Sequence, residues 1–185
     1  FEKKKFCNQQ IFELNRSLLP FFGFPAYGVH CNGWRKKGKK VFMFLSKRSK
    51  NIEKFPGLYD NLVGGGQPSN ISFRENLKKE AYEEVGLSKY LVKNAKINAF
   101  SKYSHVFNEN LHSAVIATYD LEFKNNFFFN YNDGEVENVE EIEILDIFYL
   151  LEKEKIKPNC IIPILHFIIK NEKKFFDETA LHKIN

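Results

Sequence analysis

Three consecutive glycines, Gly64 to Gly66, lead into a stretch from Ser72 to Leu87 that carries its own start and stop signals, and no other feature constrains the chain as strongly. Ser72 followed by Glu75 forms a capping box: the serine side chain satisfies an orphan amide and the glutamate reaches back to the serine backbone. Gly86 falls where a left-handed residue ends a helix. The spacing predicts a helix over 72–87. At about 100° per residue, Glu80, Glu83 and Glu84 share roughly a 100° arc beside an apolar arc of Phe73, Leu77, Ala81 and Val85. One arc packs and its neighbour is a carboxylate cluster. Like charges at these spacings repel by about a few tenths of a kcal/mol per pair, and a bound cation reverses that sign. Oxygen-only donors that leave room for water and phosphate suit Mg²⁺, with Mn²⁺ as a substitute. A solvated acidic face is the alternative. The paired caps and the adjacent glycine loop, which lets backbone approach a ligand closely, favour the metal.

Gly65, Glu80, Ala81, Glu83, Glu84, Gly86 and Leu87 together resemble the Nudix box. That pattern is Gly, five residues, Glu, seven residues, then Arg-Glu-apolar-any-Glu-Glu-any-Gly-apolar, and it aligns here without gaps. Ile71 stands where the first glutamate is expected. Lys79 replaces the arginine, keeping the charge without the planar fork. Further elements narrow the resemblance: Tyr27-Gly28-Val29-His30 with Asn32-Gly33, the run from Phe55 to Gly66, Asp133-Gly134-Glu135-Val136-Glu137, and Lys157-Pro158-Asn159-Cys160. These are similar to Nudix domains related to thiamine pyrophosphokinase, a branch that often has an apolar residue at the position of Ile71 and a glutamate at that of Glu75. The resemblance runs from about Phe12 to Lys170. It implies an α/β chain of Nudix fold, a mixed β-sheet sandwiched between α-helices, that hydrolyses a small-molecule diphosphate with Mg²⁺.

Charge dictates what such residues would do. A diphosphate resists attack because its oxygens repel a nucleophile, and magnesium neutralises them while orienting a water. Glu80 and Glu84, one turn apart, are the expected direct ligands; Glu83 is a third ligand or the group that takes the proton of the attacking water. The Gly65 carbonyl is an expected extra ligand. A later loop commonly supplies another acid, and Glu135 after its Asp-Gly turn leads Glu137, Glu140 and Glu141. Arg48 can hold a terminal phosphate through its fork, or be an ordinary surface arginine. Lys79 is assigned to the substrate side. Tyr59, Asp60 and Asn61 shape the pocket, Asp60 facing a cationic ring, or merely tie the turn. Trp34, Tyr27, Tyr59 and Tyr103 are candidate aromatic walls for a thiazolium or a base. His30, His105, His112 and His166 lack ligand spacing and read as structural.

At 185 residues the chain suffices for one compact domain, read as a lead-in over 1–24, the Nudix domain over 25–171 and a tail over 172–185. Cys7, Cys31 and Cys160 are odd in number and widely separated, against a disulfide framework or zinc knuckle and in favour of a reducing, cytoplasmic setting. The longest apolar run, Cys160 to Ile169, contains Pro163 and His166 and falls short of the roughly 20 residues that cross a bilayer. A net charge of +5, with lysines scattered through loops, attracts anions generally without requiring nucleic acid. No nucleic-acid or membrane partner is expected, and the chain is read as a monomer or homodimer. It begins at Phe1 rather than Met, so an N-terminal piece, with any targeting information it holds, is expected to lie outside it.

Strands are predicted over 26–33, 41–45, 59–63, 95–106, 114–123 and 139–145, the first two joined by a charged hairpin turn. Gln9 to Leu19 is a short helix or extended lead-in ended by Pro20. Asp146 is the expected cap of a helix through Leu151, and Asn159 of one ending near Lys170. Phe127-Phe128-Phe129 reads as packing.

Three other functions compete with diphosphate hydrolysis of thiamine type. An ADP-ribose-like pyrophosphatase uses the same box. Isopentenyl diphosphate isomerisation needs a poised cysteine, for which Cys31 and Cys160 lack a matching motif. A silent binding module is disfavoured by retention of all three helical acids.

Overall fold

The computed structural model describes residues 12–107, 110–131 and 134–175. Asp133, Cys7 and the segments 1–11 and 176–185 lie outside the described residues, as does the side chain of His105. Strands β1 (Ala26–Lys37) and β2 (Lys40–Arg48) form an antiparallel hairpin that turns at Gly38, φ +60°. They stay paired from Lys37↔Lys40 only as far as Gly33↔Phe44. There the hairpin forks. The segment predicted as one strand over 59–63 enters the fork and divides: β3 (Tyr59–Asn61) bonds to β2, and β4 (Val63–Gly66) bonds to β1. Leu62, fully buried, sits at the apex. A Cβ on Gly33 would lie 2.3 Å from Leu62 Cδ2, so a glycine is what admits that apex.

Outside the fork, β5 (Lys96–Phe107) and β6 (Asn110–Glu122) form a second antiparallel pair, and β6 runs parallel to β1. Strand β7 (Val136–Glu143) closes the other side against β2. The result is the expected mixed sheet, with seven strands among the described residues.

Alternation along the strands builds a core on each face. On β1, Val29 and Cys31 join one cluster while Trp34 joins the other; on β2, Phe44 joins the first while Val41, Met43 and Leu45 join the second. The first core is covered by α1 (Phe73–Val85) and α2 (Lys89–Val92), through Leu77, Ala81, Val85 and Val92. The second is covered by α3 (Ile144–Glu152) and α4 (Pro158–Phe175), through Ile144, Ile147, Ile164 and Phe167. Each fully buried aliphatic side chain contributes about 1.5–3 kcal/mol, so both helical layers are firmly seated. Cys31 and Cys160 are free and buried.

Helix starts depart from the sequence reading in two places. Glu143, not Asp146, occupies the N-cap of α3, with no side-chain cap bond; Asp146 lies in the first turn, where the helix dipole still favours an acid. Helix α4 begins at Pro158, whose fixed φ suits a first helical position, so Asn159 is inside the helix rather than capping it. The described part of the lead-in contributes a 3-10 turn, Arg16–Leu18, capped by Asn15. Phe127 and Phe129 pack on the first core, while Phe128 stays exposed. No helix among the described residues is long and apolar enough to cross a membrane.

Candidate active site

Helix α1 is bounded as its sequence predicts. Glu75 N donates to Ser72 Oγ (3.2 Å), Ser72 N donates to Glu75 Oε2 (3.1 Å), and Gly86 ends the helix at φ +69°. With Leu77, Ala81 and Val85 buried, the acid arc is turned toward β4. Glu84 Oε2 accepts from Gly64 N at 3.1 Å. Glu80 lies over Gly65 so closely that a Cβ there would be 2.3 Å from its Cδ. Lys79 Nζ reaches Glu83 (2.7 Å) and Glu80 (3.4 Å), which places its charge between the two acids. Burial pushes the Glu80 carboxyl above its ordinary range; Lys79 opposes the shift, and the negative charges of Glu83 and Glu135 add to it.

The opposite face of β4 holds the opposite sign. Because successive residues of a strand point to alternate faces, Gly65 looks toward Glu80 while Gly64 and Gly66 look the other way. A Cβ on Gly64 would meet Asp60 Oδ1 at 2.9 Å, and one on Gly66 would meet the Arg16 guanidinium at 1.8 Å. Asp60 is buried and accepts from Lys157 Nζ at 2.6 Å and Arg48 Nη1 at 3.1 Å. A cavity of about 470 Å³ wraps over this glycine strand, lined by Glu80, Glu83, Glu84 and Glu135 and by Arg16, Arg48, Lys79 and Lys157. Tyr27, Tyr103, His30 and Asn159 complete its wall.

Behind the wall, a chain of amides fixes the tautomer of His30. Asn32 Nδ2 donates to the Pro163 carbonyl and to Asp120 Oδ1, both at 3.0 Å, so Asn32 Oδ1 must accept from Asn61 Nδ2 (2.8 Å). Asn61 Oδ1 then accepts from His30 Nδ1 at 2.6 Å, which puts the ring proton on Nδ1. Burial, foremost, lowers the His30 pKa and keeps the ring neutral.

Most nominated residues converge on this cavity: Glu80, Glu83, Glu84, Gly65, Glu135, Arg48 and Lys79 line it. Others do not. Tyr59 is buried in the second core, its hydroxyl donating to Glu140 at 2.7 Å and its ring under Lys47, so it is no cavity wall. Trp34 likewise packs on Phe167. Asp60 faces two cations rather than a ligand ring, and Asn61 is the middle of the amide chain. Glu140 serves Tyr59, Glu141 is gripped by Arg35 and Lys37, and Glu137 is exposed on β7, which leaves Glu135 as the late acid at the cavity. Ile71 is exposed and outside the lining. Arg16, Lys157 and His30 were not nominated. His30 and Lys157 each stand in an element of the branch resemblance, His30 being read as structural and Lys157 given no role, while Arg16 carries no signal.

Sulfur, imidazole and carboxylate atoms of Cys160, His30 and Asp60 lie within 4.8 Å of one another, and among the described residues they form the one cluster that close. It is a hydrogen-bonded cluster rather than a cation site: Asp60 carries two cationic partners, and the thiol, pushed up by burial, donates to Asp60 Oδ1 at 2.7 Å. The α1 side fits a hard cation better. Its donors are carboxylate oxygens, one of them penalised by burial and by like charges, beside a glycine that admits close approach.

A mixed sheet between two helical layers, with a glycine strand leading into a capped E-x-x-E-E helix, defines the Nudix class. The chain has the Nudix fold, and its sequence is similar to those of curated Nudix hydrolases. It is 32% identical over 170 residues to Nudix hydrolase 20, chloroplastic, of Arabidopsis thaliana, covering 91% of this chain and 46% of that protein. Nudix hydrolase 24, chloroplastic, of the same plant is also 32% identical, with 91% and 47% covered. The chain thus spans about half the length of these curated relatives. Among solved structures, the Nudix domain of Shewanella oneidensis NrtR, complexed with ADP ribose, superposes with a TM-score of 0.63 at 11% identity, covering 85% of this chain and 99% of that one. A MutT protein of Methanosarcina mazei gives 0.60 at 18% identity, with 80% and 96% covered. These two show likeness of fold alone. No family model matches the chain.

Proposed function

We propose that the chain is a Mg²⁺-dependent pyrophosphohydrolase that cleaves thiamine diphosphate or its oxidised analogues to the monophosphate. The observation that carries the hydrolase reading is a cavity in which four carboxylates, with Lys79 among them, meet three cations on the other side, Arg16, Arg48 and Lys157. Glu80, Glu83 and Glu84, with Glu135 and the Gly65 carbonyl, would hold the metal. When bound, it neutralises the diphosphate oxygens and activates water. The chain's own groups do the rest: Lys79 tempers the repulsion between Glu80 and Glu83, the Glu84 bond to Gly64 N fixes the helix against the glycine strand, and Glu83 or Glu135 accepts the proton of the attacking water. Cations on the far face of β4 receive phosphate oxygens.

The substrate choice rests on where the branch-specific residues fall. Tyr27, Gly28, His30, Gly64 to Gly66, Glu135, Lys157 and Asn159 all line the cavity, though they come from four separate stretches of sequence. Tyr27 and Tyr103 offer the aromatic surface a thiazolium ring needs. The second reading is an ADP-ribose-like substrate. It is favoured by the same two tyrosines, on which adenine would stack, and by the likeness to a domain solved with ADP ribose. A panel of thiamine, oxidised thiamine, ADP-ribose, nucleotide and prenyl diphosphates, incubated with purified protein and Mg²⁺, tests both. Higher kcat/KM for the thiamine compounds is expected, and a clear preference for ADP-ribose would overturn the first reading.

A further inference from the structure

We propose that Asp60 is the buried anchor of a cationic arm, Arg48 and Lys157 with Arg16 beside them, that binds a terminal phosphate dianion and so selects substrates whose diphosphate ends in an unesterified phosphoryl group. This rests on reading the cavity as the hydrolase site. Asp60, only 5% exposed, is out of reach of a ligand, and its oxygens are all engaged: Oδ2 by Lys157 and Arg48, Oδ1 by the Cys160 thiol and by Asn61 N at 2.9 Å. The two cations it holds do line the cavity.

Each is fixed from a second direction as well. Arg48 donates through Nε and Nη2 to the Lys54 carbonyl, at 3.2 and 3.1 Å. Lys157 is clipped to β3 by its backbone, since Lys157 N donates to the Tyr59 carbonyl at 2.9 Å and Tyr59 N to the Lys155 carbonyl at 2.8 Å. Preset donors lose little freedom on binding. Two cations against one carboxylate leave a single positive charge, and Arg16, against Gly66, adds a second. His30 and Cys160 stay neutral and do not alter that count.

An unesterified phosphate carries about two negative charges near pH 7, whereas an internal, doubly esterified phosphate carries one. The arm therefore matches the terminal group of a diphosphate monoester and is under-used by a diphosphate flanked on both sides, as in ADP-ribose. Because the arm and the α1 acids occupy opposite faces of the glycine strand, a diphosphate placed astride Gly64 to Gly66 has its terminal phosphate on the cations and its bridge toward the acids. Water then adds one oxygen to phosphorus as the bridging P–O bond breaks, and the products are a monophosphate ester and inorganic phosphate.

The test separates binding from turnover. Calorimetric titration of the protein with inorganic phosphate in EDTA should show saturable binding, with dimethyl phosphate far weaker. Lys157→Met should weaken phosphate binding by about tenfold to a hundredfold, the loss of one charge-assisted bond, while circular dichroism and thermal unfolding verify folding; Lys157→Arg should restore part of it. In kinetics, Asp60→Asn should lower kcat/KM for thiamine diphosphate or ADP by at least tenfold more than for ADP-ribose, a split that a merely structural role would not produce. Absence of phosphate binding, binding undiminished in Lys157→Met, or equal kinetic losses on both substrate types would overturn the proposal. If phosphate binds through Lys157 while no diphosphate is hydrolysed, the hydrolase reading falls and the arm stands.

Discussion

Gly65→Ala puts one methyl group where the geometry tolerates it least. The new Cβ would lie 2.3 Å from Glu80 Cδ and 2.5 Å from both Cγ and Oε2, whereas ordinary contact begins at 3.4 Å. The carboxyl must therefore retreat by the difference, about 1 Å. What blocks the methyl is the far end of a flexible side chain, so the fold should lose only about 1 kcal/mol, the lower end of the range for overpacking. For a chain of this size that is about 2–4 °C in Tm. Chemistry is less forgiving: a misplacement of about 1 Å at a positioned group costs on the order of a hundredfold in rate. The assay is steady-state hydrolysis with Mg²⁺ beside thermal unfolding, for Gly65→Ala alone and in a Glu80→Ala background. With the carboxyl gone, the methyl has nothing to displace, so the second substitution should add almost no loss. Near-normal turnover of Gly65→Ala, or an equal loss in both backgrounds, would refute the placement of Glu80 over Gly65 as the working geometry.

Millimolar Mg²⁺ or Mn²⁺ should raise Tm, by about 1.4 kcal/mol of stabilisation at ten times Kd; the Glu80→Gln, Glu84→Gln double variant should lose that response, and a metal-independent midpoint in the wild type would count against the metal site. Gly33→Ala should cost about 2–3 kcal/mol in urea unfolding, because its Cβ is trapped between Leu62 Cδ2 at 2.3 Å and Phe123 Cε2 at 3.1 Å; an unchanged midpoint would mean the fork has slack. His30 links stability to acid. Burial lowers its pKa, Lys157 and Arg16 press the same way, Asp60 and the hydrogen bond to Asn61 oppose, and the neutral Cys160 completes its surroundings. The unfolded chain thus takes up a proton below pH 6.5 that the native ring resists, so this stability is full above 6.5 and is lost as pH falls toward the folded value. The slope should approach about 1.4 kcal/mol per pH unit and flatten in His30→Gln; identical curves for the two proteins would remove His30 from the acid response.

Helix α1 was legible because everything that defines it is local. The capping box, the apolar spacing and the left-handed glycine lie within one stretch of sequence, and the acid arc follows from the helical period. The strands were legible for the same reason, but the fork was not. That Tyr59 to Gly66 would leave one partner for another at Leu62 depends on a contact with Gly33, remote in sequence, and alternation of residue types carries no trace of it. Asp60 shows how such a gap misleads. Beside a glycine loop an aspartate reads equally as a pocket residue or as a tie within the turn; the fork draws it inward, and the incoming Ile156, bridged to Tyr59, delivers Lys157 on top of it.

The cationic half of the site was the harder half for a related reason. Its members come from the lead-in, the end of β2 and the start of α4, and they share no period. Only Arg48 stood out by type. Yet the glycine run Gly64 to Gly66 bears on both halves. Side-chain alternation in β4 makes Gly65 the close-approach point for Glu80 and Gly66 that for Arg16, and Gly64 admits Asp60, which holds the remaining cations. A side chain at any of the three would push back one charged group and leave the other face untouched. The triple glycine is thus a requirement for bringing both signs of charge to one strand, and substitutions there should separate by face: Gly65 should report on metal and turnover, Gly66 on phosphate affinity.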